Sequence, residues 1–305
     1  MNNSIKLILL TFVAILLFIT CKQKVNSYNA NDDEPHKGTI TIAADESFKP
    51  IVDEEAAVFT GIYTEAKPKF NYQTENAVLR SFLNDSVRVA ILSRELDTNE
   101  VRILKNRTLP PEILPFAVDA VAIIVNKASN DTLITVSDIK NMLAGNTKTD
   151  KSIVFDNPNS SLVRYLKEFT GSKELVQKNI YALKSNKEVL NYVNQHENAI
   201  GIIGFSWLND PDADYAAAAN SVKIVGVRNE ASKEFANEYF KPSQTTLALK
   251  QYPLSRRLYI INSTGKLGLG RGFADFITSE RGQRIILKSG LLPDSIPQRL
   301  INIKK

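Results

Sequence analysis

A chain of 305 residues with an apolar share of 43% can bury one large core or two of ordinary size, which excludes a disordered or low-complexity protein. The formal net charge of +5 is spread without a basic block and argues against a dedicated nucleic-acid surface. One cysteine and two histidines leave no intramolecular disulfide, no thiolate metal cluster and no metal-ligand spacing.

The first residues stand apart. Lys6 sits in a polar start, and LILLTFVAILLFIT (7–20) then runs fourteen residues without charge up to Cys21. That length is short for a membrane span and has the shape of a secretory signal. Cys21, directly after the apolar run, resembles the lipobox of bacterial lipoproteins, in which the cysteine becomes the lipidated first residue. Phe18, Ile19 and Thr20 depart from the usual Leu-and-small pattern, and an uncleaved signal anchor is the alternative. Residues 1–21 are therefore expected to be a signal peptide and lipobox. Residues 22–37, polar throughout, are expected to be a flexible linker that tethers an exported globular part.

From Thr39 onward strands and helices alternate. TITIAA (39–44) predicts a strand, and DESFKPIVDEEAAVFTG (45–61) a helix with Ile51, Val52, Val58 and Phe59 at helical spacing. PKFNYQ, TENAVLRSFLN and VRVAIL continue as strand, helix and strand, giving a β-α-β-α-β unit of a mostly parallel sheet. ILPFAVDAVAIIVN (113–126) reads as a long apolar run broken at Asp119. TVSDIKNMLAG predicts a helix with Thr135 and Asp138 at capping-box spacing and Gly145 as its stop. SIVFD, SSLVRYLKEF, YALKS, NKEVLNYVNQ and AIGIIGF extend the alternation. VKIVGV, a less regular polar stretch, the strand RLYIIN and one or two C-terminal helices complete the chain. Two α/β lobes follow from this order, the first from residues 38–118 and 250–305 and the second from residues 119–249.

Catalytic sets are not evident. His36 falls in the linker and His196 follows a helix, so neither joins a nucleophile, and the chain is not expected to be an enzyme or to carry a cofactor or metal. STGKLGLGRG (263–272) lacks the residue order of a phosphate-binding P-loop and reads as a flexible lead into the last helices. Three turns do share one geometry: ADESF, YQTEN and DNPNSS each place small polar residues between a strand end and a helix start. Helix starts leave backbone N–H groups unpaired and carry positive partial charge, which suits an anion. Ser47, Thr74, Asn157, Asn159, Ser160 and Ser161 are the candidate donors, with simple N-capping as the alternative for each. VRVAILSREL adds Ser93 and Arg94 at a fourth strand end. Arg94 suits forked recognition of an oxyanion or, equally, a surface salt bridge.

These segments together resemble the phosphate-binding, PstS-like proteins of ABC importers, among the type II periplasmic solute-binding proteins. The residues that carry the resemblance are VRVAILSREL, DAVAIIVNKASNDTLITVSDIKNMLAGN, NAIGIIGFSWL, YPLSRRLYII and FADFITSERGQRIILKSGLLP, in that order. The resemblance implies two α/β lobes joined by crossing segments, each a mostly parallel sheet flanked by helices, with a ligand cleft between them. It also implies ligand-binding roles for Ser47 and Phe48, Thr74 and Glu75, Ser93 and Arg94, and Asn159, Ser160 and Ser161. YQTEN departs from the family by lacking glycine and bringing Glu75, and NPNSS replaces its Ser-Gly-Thr turn. The expected function is that of a lipid-anchored protein on the periplasmic side of a bacterial membrane. It would capture phosphate or a similar oxyanion and pass it to the membrane subunits of an ABC importer. A sensor or scaffold of the same fold without phosphate binding is the alternative. Arg94→Ala is expected to weaken anion binding far more than Arg164→Ala, because Arg164 reads as lying along a helix body.

Overall fold

The computed structural model describes residues 33–146, 150–175 and 178–295. The expected signal segment, Cys21 and the linker up to residue 32 lie outside the described residues. Asp33 opens the compact unit that holds the rest of the chain. The last stretch read as linker is packed against that unit. His36 stacks on Tyr63 with ring centroids 3.9 Å apart, and the Asp33 carboxylate accepts a hydrogen bond from the Leu269 N–H at 2.9 Å.

β1 (Gly38–Asp45), α1 (Lys49–Ile62), β2 (Ala66–Gln73), α2 (Glu75–Leu83) and β3 (Val89–Leu92) form the expected unit, with β1 parallel to both β2 and β3. β3 is buried at all four positions, as a strand covered on both faces must be. Of the expected apolar face of α1, Ile51, Val52 and Phe59 are buried, whereas Val58 is exposed. α3 (Thr98–Asn106) is an additional helix, started by a capping box between Asp97 and Glu100.

β4 (Glu112–Asn126) joins the two halves. The polar residue within its apolar run does not end the strand: Asp119 lies in register with Arg256 of β11 (Ser255–Asn262), whose guanidinium donates to its carboxylate at 2.9 and 3.1 Å. An internal ion pair makes a buried acid tolerable inside a strand. Residues 112–120 of β4 pair with β11, and residues 121–126 pair with two later strands.

The second half runs through β5 (Leu133–Thr135), α4 (Val136–Ala144), β6 (Ser152–Phe155), α5 (Ser161–Thr170), β7 (Ile180–Ala182), α6 (Asn186–Gln195) and β8 (Ala199–Gly204). The short helices α7 (Ser206–Asn209) and α8 (Ala216–Asn220) precede β9 (Val222–Ile224), β10 (Gly226–Arg228) and α9 (Gln244–Ala248). α4 keeps both predicted ends, the Thr135–Asp138 capping box and a left-handed Gly145. VKIVGV divides into β9, which pairs with β4, and β10, which pairs with β5. After β11, α10 (Leu269–Thr278), α11 (Glu280–Lys288) and β12 (Leu292–Pro293) return to the first half. Glycine is required at 272 within α10, because a Cβ there would lie 1.7 Å from the Pro35 carbonyl oxygen.

The main sheet runs β2-β1-β3-β11-β4-β8-β6-β7, with parallel pairs at both ends and antiparallel pairs in the middle. Its core is divided in the same way. Two buried clusters draw on residues 42–117 and 258–291, and two others on residues 120–254. The architecture is thus two-lobed α/β, with helices flanking a curled sheet that is parallel in each lobe away from the crossing strands.

Candidate functional site

The turn after β1 and the turn after β6 meet where the two lobes touch. In the first, Asp45 ends the strand and caps a short 3-10 turn, Glu46–Phe48, that leads into α1. In the second, Asp156 directly follows β6 and Ser160 caps α5, accepting from the Val163 N–H at 3.3 Å. The two turns exchange acceptors. Asp45 accepts from its own Ser47 N–H at 2.9 Å and, across the lobes, from the Ser161 N–H at 3.3 Å. Asp156 accepts from the Ser160 hydroxyl at 2.5 Å and, in the opposite direction, from the Ser47 hydroxyl at 3.1 Å.

Three further groups frame this crossing. The Asn186 side-chain amide donates to Asp156 at 3.3 Å, while its carbonyl oxygen, fully buried, has no partner among the described residues. Arg256 donates to the Ser161 hydroxyl at 3.0 Å and lies over the Phe48 ring at 4.6 Å. The Trp207 indole N–H donates to the Ser47 carbonyl at 2.8 Å. Asp45, Ser47, Phe48, Asp156, Ser161 and Asn186 are all buried.

A second knot lies beside the first. Glu75 opens α2 and is buried; it accepts from the Ser93 hydroxyl at 3.2 Å and from Arg164 of α5 at 3.1 Å. Arg164 also donates to the Ser93 hydroxyl at 2.9 Å and bonds Glu168 one turn along its own helix. Here too a side chain of one lobe fills the hydrogen-bonding needs of the other.

Burial sets the electrostatics. Desolvation pushes the Asp45 carboxyl above its ordinary range, with Glu75 adding to the rise and the hydrogen bonds from Ser161 and Ser47 opposing it. Desolvation likewise carries Asp156 up to about 7, with Asp45 contributing in the same direction. Asp119 is raised by burial and held back chiefly by Arg256.

Of the residues singled out from sequence, Ser47, Phe48, Ser160 and Ser161 come together at the first knot, and Glu75 and Ser93 at the second. Thr74 stands at the N-cap of α2 without a side-chain capping bond. Asn159 is exposed and does not join its neighbours. Arg94 turns to Glu100, which it grips at 2.6 and 2.8 Å, so its fork is taken by a salt bridge of its own lobe. Arg164, read from sequence as lying away from the turn, is the arginine that reaches across to Glu75 and Ser93. Asp45, Asp119, Asp156, Asn186 and Arg256 were not singled out as site residues. Their signal was present, since each of the three aspartates interrupts or ends a buried apolar strand, a position where a charge demands an internal partner.

The arrangement gathers N–H and O–H donors from two helix starts about two buried carboxylates, with guanidinium groups beside them. Comparisons with known proteins bear on the fold. A sequence model of the PBP superfamily domain matches residues 29–281. The phosphate-binding protein PstS of Borreliella burgdorferi is 24% identical over 301 residues, 92% of this chain and 98% of that protein. Among solved structures, a Clostridium perfringens protein assigned as a phosphate ABC transporter substrate-binding protein, with phosphate bound, superposes with a TM-score of 0.70. It is 22% identical, covering 85% of this chain and all of that one. An ABC-type phosphate transport receptor from Vibrio cholerae gives a TM-score of 0.62 at 20% identity, over 83% of this chain and 99% of its own. The resemblance to PstS-like proteins holds across the fold, and the chain belongs to the PBP superfamily.

Proposed function

We propose that this protein is a solute-binding protein that captures phosphate or a similar small oxyanion between its lobes and presents it to an ABC importer. One observation carries the reading: the turn after β1 and the turn after β6, from different lobes, direct Ser47, Ser160 and Ser161 into a single buried place. The names of the relatives support phosphate as the first candidate and transport without chemistry as the mechanism. In this reading the lobes are residues 38–118 with 250–305, and residues 119–249. They close on the ligand by as much as it prefers the closed form. The chain is exported by residues 1–21 and held on the periplasmic side of the membrane through lipid on Cys21.

Calorimetry with phosphate, sulfate and molybdate at about pH 5.5 and about pH 8 tests the reading. Saturable heat with at least one of them is expected; none with any, at millimolar ligand and either pH, would overturn it in favour of a sensor or scaffold. Labelling with palmitate, lost in Cys21→Ala, is the expected result for the anchor.

A further inference from the structure

The donors that an oxyanion would use are already engaged by the protein's own carboxylates. Asp45 takes the N–H groups of Ser47 and Ser161, and Asp156 takes the hydroxyls of Ser47 and Ser160 and the amide of Asn186. The facing cations are committed elsewhere: Arg256 is paired with Asp119 and Arg164 with Glu75. Glu75 and Glu46 add negative charge beside Asp45, and Glu188 of α6 faces Glu46. An anion entering among ionised Asp45 and Asp156 would meet two resident negative charges with no uncommitted arginine to balance them.

A protonated carboxyl reverses that situation, because it releases the donors it was accepting from and offers an O–H of its own to the anion. The buried Asn186 carbonyl, without a partner among the described residues, belongs to the side chain whose amide donates to Asp156 and offers an acceptor for a proton carried by the ligand. We propose that Asp45 and Asp156 are specificity-determining residues which admit an oxyanion only together with protons, so that ligand capture in this cleft is coupled to proton uptake. The inference rests on the oxyanion reading above. Burial moves both groups toward the neutral range, Asp156 to about 7, so the coupling falls within conditions a cell surface meets.

The test is phosphate calorimetry on the full chain in buffers of different ionisation enthalpy, from about pH 5.5 to about pH 8, which yields the number of protons taken up. Sulfate, which does not titrate in that range, serves as the second ligand. Wild type is expected to take up protons beyond those explained by phosphate's own ionisation, and its affinity is expected to fall about tenfold per pH unit for each proton coupled. Asp156→Asn and, separately, Asp45→Asn should lower the proton number and flatten the pH dependence, each checked for a cooperative thermal transition. Phosphate binding by wild type with no excess proton uptake, or with affinity independent of pH, overturns the inference and leaves the oxyanion reading standing. Absence of heat with every oxyanion at every pH overturns both.

Discussion

Arg164 and Arg94 show how far one side chain can be placed from its sequence alone. Both lie near a turn of the expected site, and the Ser-Arg pair at the end of β3 pointed to Arg94. In the structure Glu100, brought close by the capping box that starts α3, claims Arg94, while α5 aims Arg164 across to Glu75. Arg164→Ala is therefore expected to weaken oxyanion binding by about tenfold or more, because it leaves the buried Glu75 carboxylate unbalanced beside the site, with Arg94→Ala closer to wild type; calorimetry on the two variants checks the order. Glu55 is a second case. It lies on the inner face of α1, fully buried with both carboxyl oxygens unpartnered among the described residues, and burial pushes it up to about 9. Because its folded pKa lies above the unfolded one, its stabilising share is complete below about 4.5 and is lost as pH rises through about 9. The melting temperature should fall between about pH 5 and about pH 9 in the wild type and fall less in Glu55→Gln, as read by circular dichroism.

At the scale of elements, β4 and β11 hold the most buried ion pair among the described residues, with the Asp119 side chain 0% and the Arg256 side chain 2% exposed. Removing one partner leaves the other charged and dry. Arg256→Ala is expected to cost about 3–5 kcal/mol, measurable by urea unfolding, whereas exchanging both residues for apolar ones of similar volume should cost far less. The helices were legible where periodicity and end signals agreed, as in α4 with its Thr135–Asp138 box and Gly145. α3 escaped notice although Asp97 and Glu100 spell the same box, because its exposed, charged face gives little apolar periodicity. β4 was read as interrupted because the sequence shows Asp119 without showing Arg256, 137 residues away, that completes it.

For the whole molecule, the chain's single tryptophan offers a direct readout of lobe contact. Trp207 is 3% exposed, and its indole N–H reaches the Ser47 carbonyl of the other lobe. Acrylamide quenching of its emission should be weak in the wild type and rise in an Arg164→Ala, Asp45→Ala variant that remains folded; unchanged quenching would place lobe contact beyond the reach of these bonds. Alternating apolar segments, helix-end residues and their order were enough to determine the α/β class and the alternation of strands and helices, and to make Ser47 and Ser160 candidates at strand ends, since these depend on local periodicity and on the sheet geometry that gathers strand ends. Which charges fill that meeting place was decided only by the tertiary structure. An ion pair or a captured N–H depends on groups that folding brings within about 3 Å from distant positions, and burial then sets their strength.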